Sequence, residues 1–204
     1  ILFQLVLFSW LLSCQPESDS QNTYGTITDF TLTERSSKVI KKSDLEGYVW
    51  IADFIFTSCK AECPLMTNEM SKLQAALQGQ TKVKLVSFSV DPEFDTPQRL
   101  QEYARKYNAD PLKWLFLTGK RRDLYDLAIK GFHLPLAEKS PEKHEHHHEH
   151  SSEKSKKEPV SNPFLHSQKF VLVDSELKIK GYYESTDPQA MQQLLKLALK
   201  EAVH

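Results

Sequence analysis

No long basic stripe runs through this sequence, and its formal net charge is only −1. An array able to neutralise a phosphate backbone is missing, which argues against a nucleic-acid partner. The near-neutral balance argues equally against a polybasic membrane-binding surface. The longest apolar stretch, Ile1 to Leu12 with only Gln4 and Ser9 interrupting it, is shorter than the ~20 residues a bilayer-spanning helix needs. Cysteine is scarce: Cys14, Cys59 and Cys63 are the whole complement. A bridge between the last two would close too short a loop to stabilise a fold much. That pair is therefore read as chemical rather than structural. What the chain does have is 204 residues, 40% of them hydrophobic, enough for one compact domain with a full core.

The N-terminal apolar segment suits the h-region of a secretory signal, with a basic n-region expected upstream of Ile1. Leu11-Leu12-Ser13-Cys14 resembles the lipobox of bacterial lipoproteins. That resemblance implies that residues 1–14 form a lipoprotein signal ending at a lipidated Cys14. A plain cleavable signal or a shortened transmembrane anchor is the alternative. Residues 15–23 are polar and read as a tether. The expected location is the cell envelope: a periplasm-facing lipoprotein anchored to a bacterial membrane, in an oxidising compartment.

From Tyr24 the pattern becomes that of a folded domain reaching to residue 204. Ile27 to Leu32 alternates like a strand. Tyr48 to Phe56 is a dense apolar run that predicts a strand buried on both faces. Pro64 suits the first turn of a helix, and Met66, Met70, Leu73 and Leu77 follow at helical spacing. This stripe reads as core rather than as thioether ligands. Val83 to Val90 predicts a second strand, and Thr96-Pro97 caps and opens a helix carrying Leu100, Tyr103, Ala104 and Tyr107. Trp114 to Leu117 predicts a strand and Asp123 to Lys130 a helix stopping at Gly131, with His133 as a candidate cap for its last carbonyls. Gln168 to Val173 and Leu177 to Tyr183 pair as a hairpin. Asp187-Pro188 opens a last helix with Met191, Leu194, Leu195 and Ala198. This order implies an α/β fold with a central mixed β-sheet flanked by helices.

Lys139 to Glu158 holds no aliphatic residue at all. Such a segment buries too little apolar surface to offset its ordering entropy, so residues 139–160 are expected to form a disordered His-rich insertion. Its histidines, His144, His146, His147, His148 and His150, could collect metal weakly. A solvated linker with no metal role is the equal alternative.

Cys59 and Cys63 stand in Thr57-Ser58-Cys59-Lys60-Ala61-Glu62-Cys63-Pro64, between a strand and a helix. Unpaired backbone N–H groups and the positive end of a helix dipole favour thiolate there, with Lys60 adding to the effect and Glu62 subtracting from it. Two close sulfurs can hold a soft cation, exchange with a disulfide or form an inert bridge. The pair alone leaves these three open.

Three ordered motifs narrow the choice. They are Asp53-Phe54-Ile55-Phe56-Thr57-Ser58-Cys59 with Cys63-Pro64, then Asp91-Pro92-Glu93-Phe94-Asp95-Thr96-Pro97, then Phe164-Leu165-His166-Ser167 ahead of Phe170 to Asp174. Together they resemble the Sco/SenC family of thioredoxin-like, copper-binding proteins that assist assembly of the CuA centre of cytochrome c oxidase. The resemblance covers nearly everything from Tyr24 to Ala202 and breaks at the His-rich segment. It implies a thioredoxin-like fold, copper as Cu(I) or Cu(II), and Cys59, Cys63 and His166 as its ligands. Lys60 departs from the family, which usually carries proline there, and this bears on redox tuning more than on ligation. Asp91 and Asp95 are either a strand-end turn and a helix cap or a contact for a partner or metal.

The resemblance thus implies a metallochaperone rather than an enzyme, delivering copper to cytochrome c oxidase subunit II. A thiol–disulfide oxidoreductase using Cys59 and Cys63 to reduce the acceptor's cysteines is the first alternative. A lipoprotein that sequesters metal through its histidine run is the second. A peroxiredoxin-like role is disfavoured, because Asp53 to Phe56 lacks the expected proline.

Overall fold

The computed structural model describes residues 23–134 and 168–203. Its elements are β1 (Thr31–Glu34), β2 (Val39–Lys41), β3 (Val49–Ile55), α1 (Glu62–Ala76), β4 (Val83–Ser89), α2 (Pro97–Lys106), β5 (Trp114–Thr118), α3 (Arg121–Asp126), β6 (Lys169–Val173), β7 (Ile179–Glu184) and α4 (Pro188–Glu201). The strands form one sheet in the order β2-β1-β5-β4-β3-β6-β7. β3, β4 and β5 run parallel, joined through α1 and α2, and the outer strands pair antiparallel. This is the mixed α/β sheet expected from the sequence.

The parallel centre explains the apolar runs. All seven residues of β3 are buried, as a strand covered by helices on both faces requires. Val49, Ile51 and Ile55 pack with Met66, Met70 and Leu73 of α1 and with Leu194 and Ala198 of α4. Trp50, Ala52 and Phe54 face the other layer, with Phe88, Leu124 and Phe132. There Phe54 stacks on Phe88 with centroids 5.2 Å apart, and Phe132 meets both rings edge-on. Met66 and Met70 are core residues, fully enclosed beneath α1.

Two helix starts follow their capping residues. The Thr96 hydroxyl accepts the Arg99 N–H ahead of Pro97, and the Asp187 carboxylate accepts the Gln189 N–H ahead of Pro188. In both, a proline fills a position whose missing N–H costs nothing.

Four boundaries differ from the sequence reading. The alternation over Ile27 to Leu32 is not one strand. Tyr24 and Ile27 donate to Ile179 and Leu177 near the start of β7, whereas β1 pairs with β5 beyond the middle of the sheet. The segment between crosses the sheet, and its alternation records Ile27, Phe30 and Leu32 entering the core. The edge strand β2 is three residues long with only Ile40 half-buried, too little pattern to read. α3 starts at Arg121 and ends in a π-helical turn, Leu127–Gly131. At Gly131 a Cβ would stand 2.8 Å from the Thr28 hydroxyl, so glycine ends this helix by close approach. Leu177 sits in the β6–β7 turn at φ 65°, because Asp174 accepts the N–H groups of both Glu176 and Lys178. The lipobox with Cys14, the tether before residue 23 and the His-rich segment lie outside the described residues.

Truncating the enclosed Met70 to alanine should cost ~2–5 kcal/mol of stability by leaving a cavity between α1 and β3. Thr96→Ala should cost only ~1 kcal/mol, the value of a lost cap. Chemical denaturation of the two variants beside the unaltered protein measures both.

Candidate metal centre

The cysteine pair lies where β3 leaves the sheet. Ladder pairing ends at Ile55, and the Cys59 N–H donates back to the Phe56 carbonyl at 3.2 Å, closing a turn. α1 starts at Glu62 with Ala61 in the cap position, and Ala61 offers no side-chain acceptor. The Cys59 sulfur supplies one instead: the Cys63 N–H points to it at 3.4 Å. The Cys59 thiol in turn donates to the Glu62 carboxylate at 3.9 Å. Both cysteines are free, Cys59 half-buried and Cys63 only 5% exposed.

The two sulfurs therefore differ. A helix start was expected to favour thiolate at both positions. At Cys63 burial outweighs it and pushes the thiol well above its ordinary range, with Cys59 and Asp53 adding to the effect. Lys60 is exposed and acts through water, where its charge is weakly felt.

The two aspartates of the second motif also separate. Asp95 is fully buried at the loop between β4 and α2. Its carboxylate accepts the Thr57 N–H at 3.1 and 3.2 Å, the Thr57 hydroxyl, and the Ser89 hydroxyl at 2.7 Å. Burial raises its pKa and these hydrogen bonds oppose the rise. Asp91 keeps part of its surface, with Arg121 at 3.4 Å; Arg121 also pairs with Glu93. His133 is exposed, and its ring stands where a side chain on Gly25 would go.

As donors, Cys59 and Cys63 fit a soft cation, since the turn before α1 brings the Cys59 sulfur within 3.4 Å of the Cys63 N–H and two close sulfurs can share one ion. Among the described residues no group of three or more His, Cys, Asp and Glu side chains converges on a common point. The pair thus needs a further ligand from elsewhere or a cation content with two. His166 and the histidines at 144, 146, 147, 148 and 150 lie outside the described residues.

Asp53 opens the first of the three sequence motifs. It sits mid-β3 on the Cys63 side of the sheet, wholly enclosed, and neither oxygen receives a well-formed hydrogen bond among the described residues. Ser87 lies opposite in the β3–β4 register, and its hydroxyl, which accepts the Trp114 indole N–H at 2.9 Å, favours the ionised form, but a single hydroxyl counts for little against full enclosure. Burial therefore dominates and lifts the Asp53 pKa to about 7. The signal in the sequence was a lone carboxylate inside an apolar run. Nearby, the Thr67 hydroxyl donates to the Cys63 carbonyl and meets the Tyr103 hydroxyl at 2.8 Å, which ties α1 to α2.

A carboxyl raised on folding binds a proton that the unfolded chain has already lost. Its stability is complete below the ordinary value of 3.8 and is lost as pH rises through about 7. The full gap corresponds to roughly 4 kcal/mol. Asp53→Asn should remove this dependence, matching the parent at pH 4 and exceeding it by a few kcal/mol at pH 8. Urea titrations across that pH range test the expectation.

Residues 18–199 match the model of the SCO1/SenC family. The SCO1 protein homolog of Bacillus subtilis (strain 168) is 36% identical over 129 residues, which is 62% of this chain and 67% of that protein. An SCO2-like protein of Rickettsia typhi is 29% identical over 102 residues, and there the match spans about half of each chain, 50% and 49%. Among solved structures, a SCO1/SenC family lipoprotein from Bacillus anthracis str. Ames matches with TM-score 0.70 at 28% identity, covering 87% of this chain and 95% of that one. BsSco, a member of the Sco family of cytochrome c oxidase assembly proteins in which a disulfide switch was identified, matches with TM-score 0.69 at 28% identity, covering 90% and 97%. Bradyrhizobium japonicum ScoI, solved with copper bound, shares the fold with TM-score 0.60 at 22% identity, covering 84% and 99%. The matched span runs through the cysteine turn, the buried Asp95 and nearly all of α4, and by it this chain is a thioredoxin-like protein belonging to the SCO1/SenC family.

Proposed function

We propose that this protein is a copper metallochaperone for cytochrome c oxidase. On this reading it holds one copper ion as cargo through Cys59, Cys63 and His166. The observation that carries the reading is the sulfur pair itself: two free thiols at the end of a buried strand, with the Cys63 N–H directed at the Cys59 sulfur. Soft thiolates select Cu(I), and an imidazole helps to retain Cu(II). The copper-bound ScoI of Bradyrhizobium japonicum and the oxidase-assembly role ascribed to BsSco are consistent with it.

Delivery to the CuA cysteines of oxidase subunit II would proceed by ligand exchange, each chaperone thiolate being replaced by one of the acceptor's. Lipidation at Cys14 would hold the domain at a bacterial membrane, facing the periplasm. The Bacillus anthracis relative is described as a lipoprotein, and no helix among the described residues is long and apolar enough to cross a bilayer. The insertion at 139–160 would act as a weak metal collector or as a linker.

A second reading, thiol–disulfide exchange with the acceptor's cysteines, is favoured by the same pair and by the disulfide switch of BsSco. Copper titration of the purified domain separates the two. One tight site is expected, lost in Cys59→Ser and Cys63→Ser and weakened about tenfold or more for Cu(II) in His166→Ala. Deleting residues 139–158 should remove only weak sites. Tight binding that survives Cys59→Ser but vanishes with the deletion would replace delivery by sequestration. Rapid dithiol turnover independent of His166 would favour the reductase. Metal binding must displace thiol protons, so copper affinity should also fall as pH is lowered.

A further inference from the structure

Thr57 stands two residues before Cys59, and both its backbone N–H and its hydroxyl run to one carboxylate 38 positions away. That carboxylate, Asp95, is fully buried, and the Ser89 hydroxyl holds it from the β4 side. Its own loop is fastened as well: the Asp95 N–H donates to the Asp91 carbonyl at 2.8 Å, and Arg121 from α3 reaches Asp91 and Glu93. The cysteine loop has few comparable anchors. Cys59 is tied back to Phe56, Ser58 and Lys60 are exposed, and Ala61 leaves α1 without a side-chain cap. Thr57 is thus the point at which the turn carrying Cys59 is pinned to the rest of the fold. Hydrogen bonds to a buried carboxylate are among the stronger ones, and leaving their partners unpaired costs more than the bonds contribute.

We propose that Asp95 is a positioning residue for the cysteine pair, setting through Thr57 where the Cys59 sulfur stands relative to Cys63. The inference rests on Cys59 and Cys63 being the working pair, whichever cargo they carry. It assigns the second aspartate of the Asp91–Asp95 motif to the inside of the molecule, as a link between the loops after β3 and β4.

The test uses the disulfide equilibrium of the pair, which does not require copper. Cys59 and Cys63 give up two protons and two electrons to form their S–S bond, while the cyclic disulfide of dithiothreitol takes them and opens to the dithiol. Thr57→Val keeps the volume but removes the hydroxyl, and Asp95→Asn turns a donor towards the Thr57 N–H. Each should shift the equilibrium constant about tenfold, the scale of one charge-assisted hydrogen bond. Thr57→Ser, which restores the hydroxyl, should lie within about twofold of the parent. Ser89→Ala strips a bond from the same carboxylate without touching the cysteine turn. It should lower the thermal midpoint and shift the constant in the same direction, by less than Thr57→Val does. The proposal is overturned if Thr57→Val leaves the constant unchanged, or if Ser89→Ala moves it as far as Thr57→Val does. Should Asp95→Asn fail to fold, the Thr57 pair decides. Absence of copper binding by the parent protein would sink the delivery reading and leave this test standing.

Discussion

The burial of β3 on both faces is the constraint from which the rest of the structure follows. A strand enclosed by α1 and α4 on one side and by the aromatic layer of Phe88 and Phe132 on the other must be apolar along nearly its whole length, and Asp53 is the exception in β3. It must also run parallel to its neighbour β4, since the chain returns through a helix. Parallel strands present their carboxyl ends at one edge, and the loops that leave those ends share a crevice. The cysteine turn leaves β3 there and the Asp91–Asp95 loop leaves β4 beside it. Residues 38 positions apart thereby come within hydrogen-bond distance.

The same burial sets the protonation of the site. A helix start and a backbone N–H favour negative charge on sulfur, but these effects are worth about a kcal/mol each, and full desolvation of a charge costs several. Cys63, almost wholly enclosed, lies on the losing side of that comparison. Asp53 is the extreme case, a carboxyl wholly enclosed in the centre of the sheet with no well-formed hydrogen bond among the described residues. Burial favours the neutral forms of Cys63 and Asp53, and this lets the fold place polar groups under α1 without opening the core to water.

Most of the central architecture was legible because burial leaves periodic traces: the apolar runs of β3 and β4, the stripe of Met66, Met70 and Leu73, and the caps at Thr96 and Asp187. What was illegible had no such trace. β2 is a short edge strand with one half-buried residue, and the crossing from Ile27 to Phe30 imitates a strand because Ile27, Phe30 and Leu32 enter the core between exposed polar residues. The site was half legible. Type and spacing singled out Cys59 and Cys63 as candidates, and family resemblance implied His166, which lies outside the described residues. The division of labour between Asp91 and Asp95 could not be read, because their four-residue spacing says nothing of which one turns inward. Nor could the contrast between the two sulfurs, which depends on the depth of α1 in the core.

That contrast bears on how a cargo ion could leave. On the delivery reading an acceptor thiolate approaches from solvent, and Cys59 is the sulfur it can reach; Cys63 is 5% exposed and packed with Met66 under α1. Exchange would then begin by displacement of Cys59 and end at Cys63. Once the ion has gone, burial makes the Cys63 thiolate costly, so reprotonation of that sulfur favours release over recapture. A symmetrical, fully exposed pair would lack this bias. On that reading, the depth to which β3 and α1 draw the second cysteine would bias transfer outward.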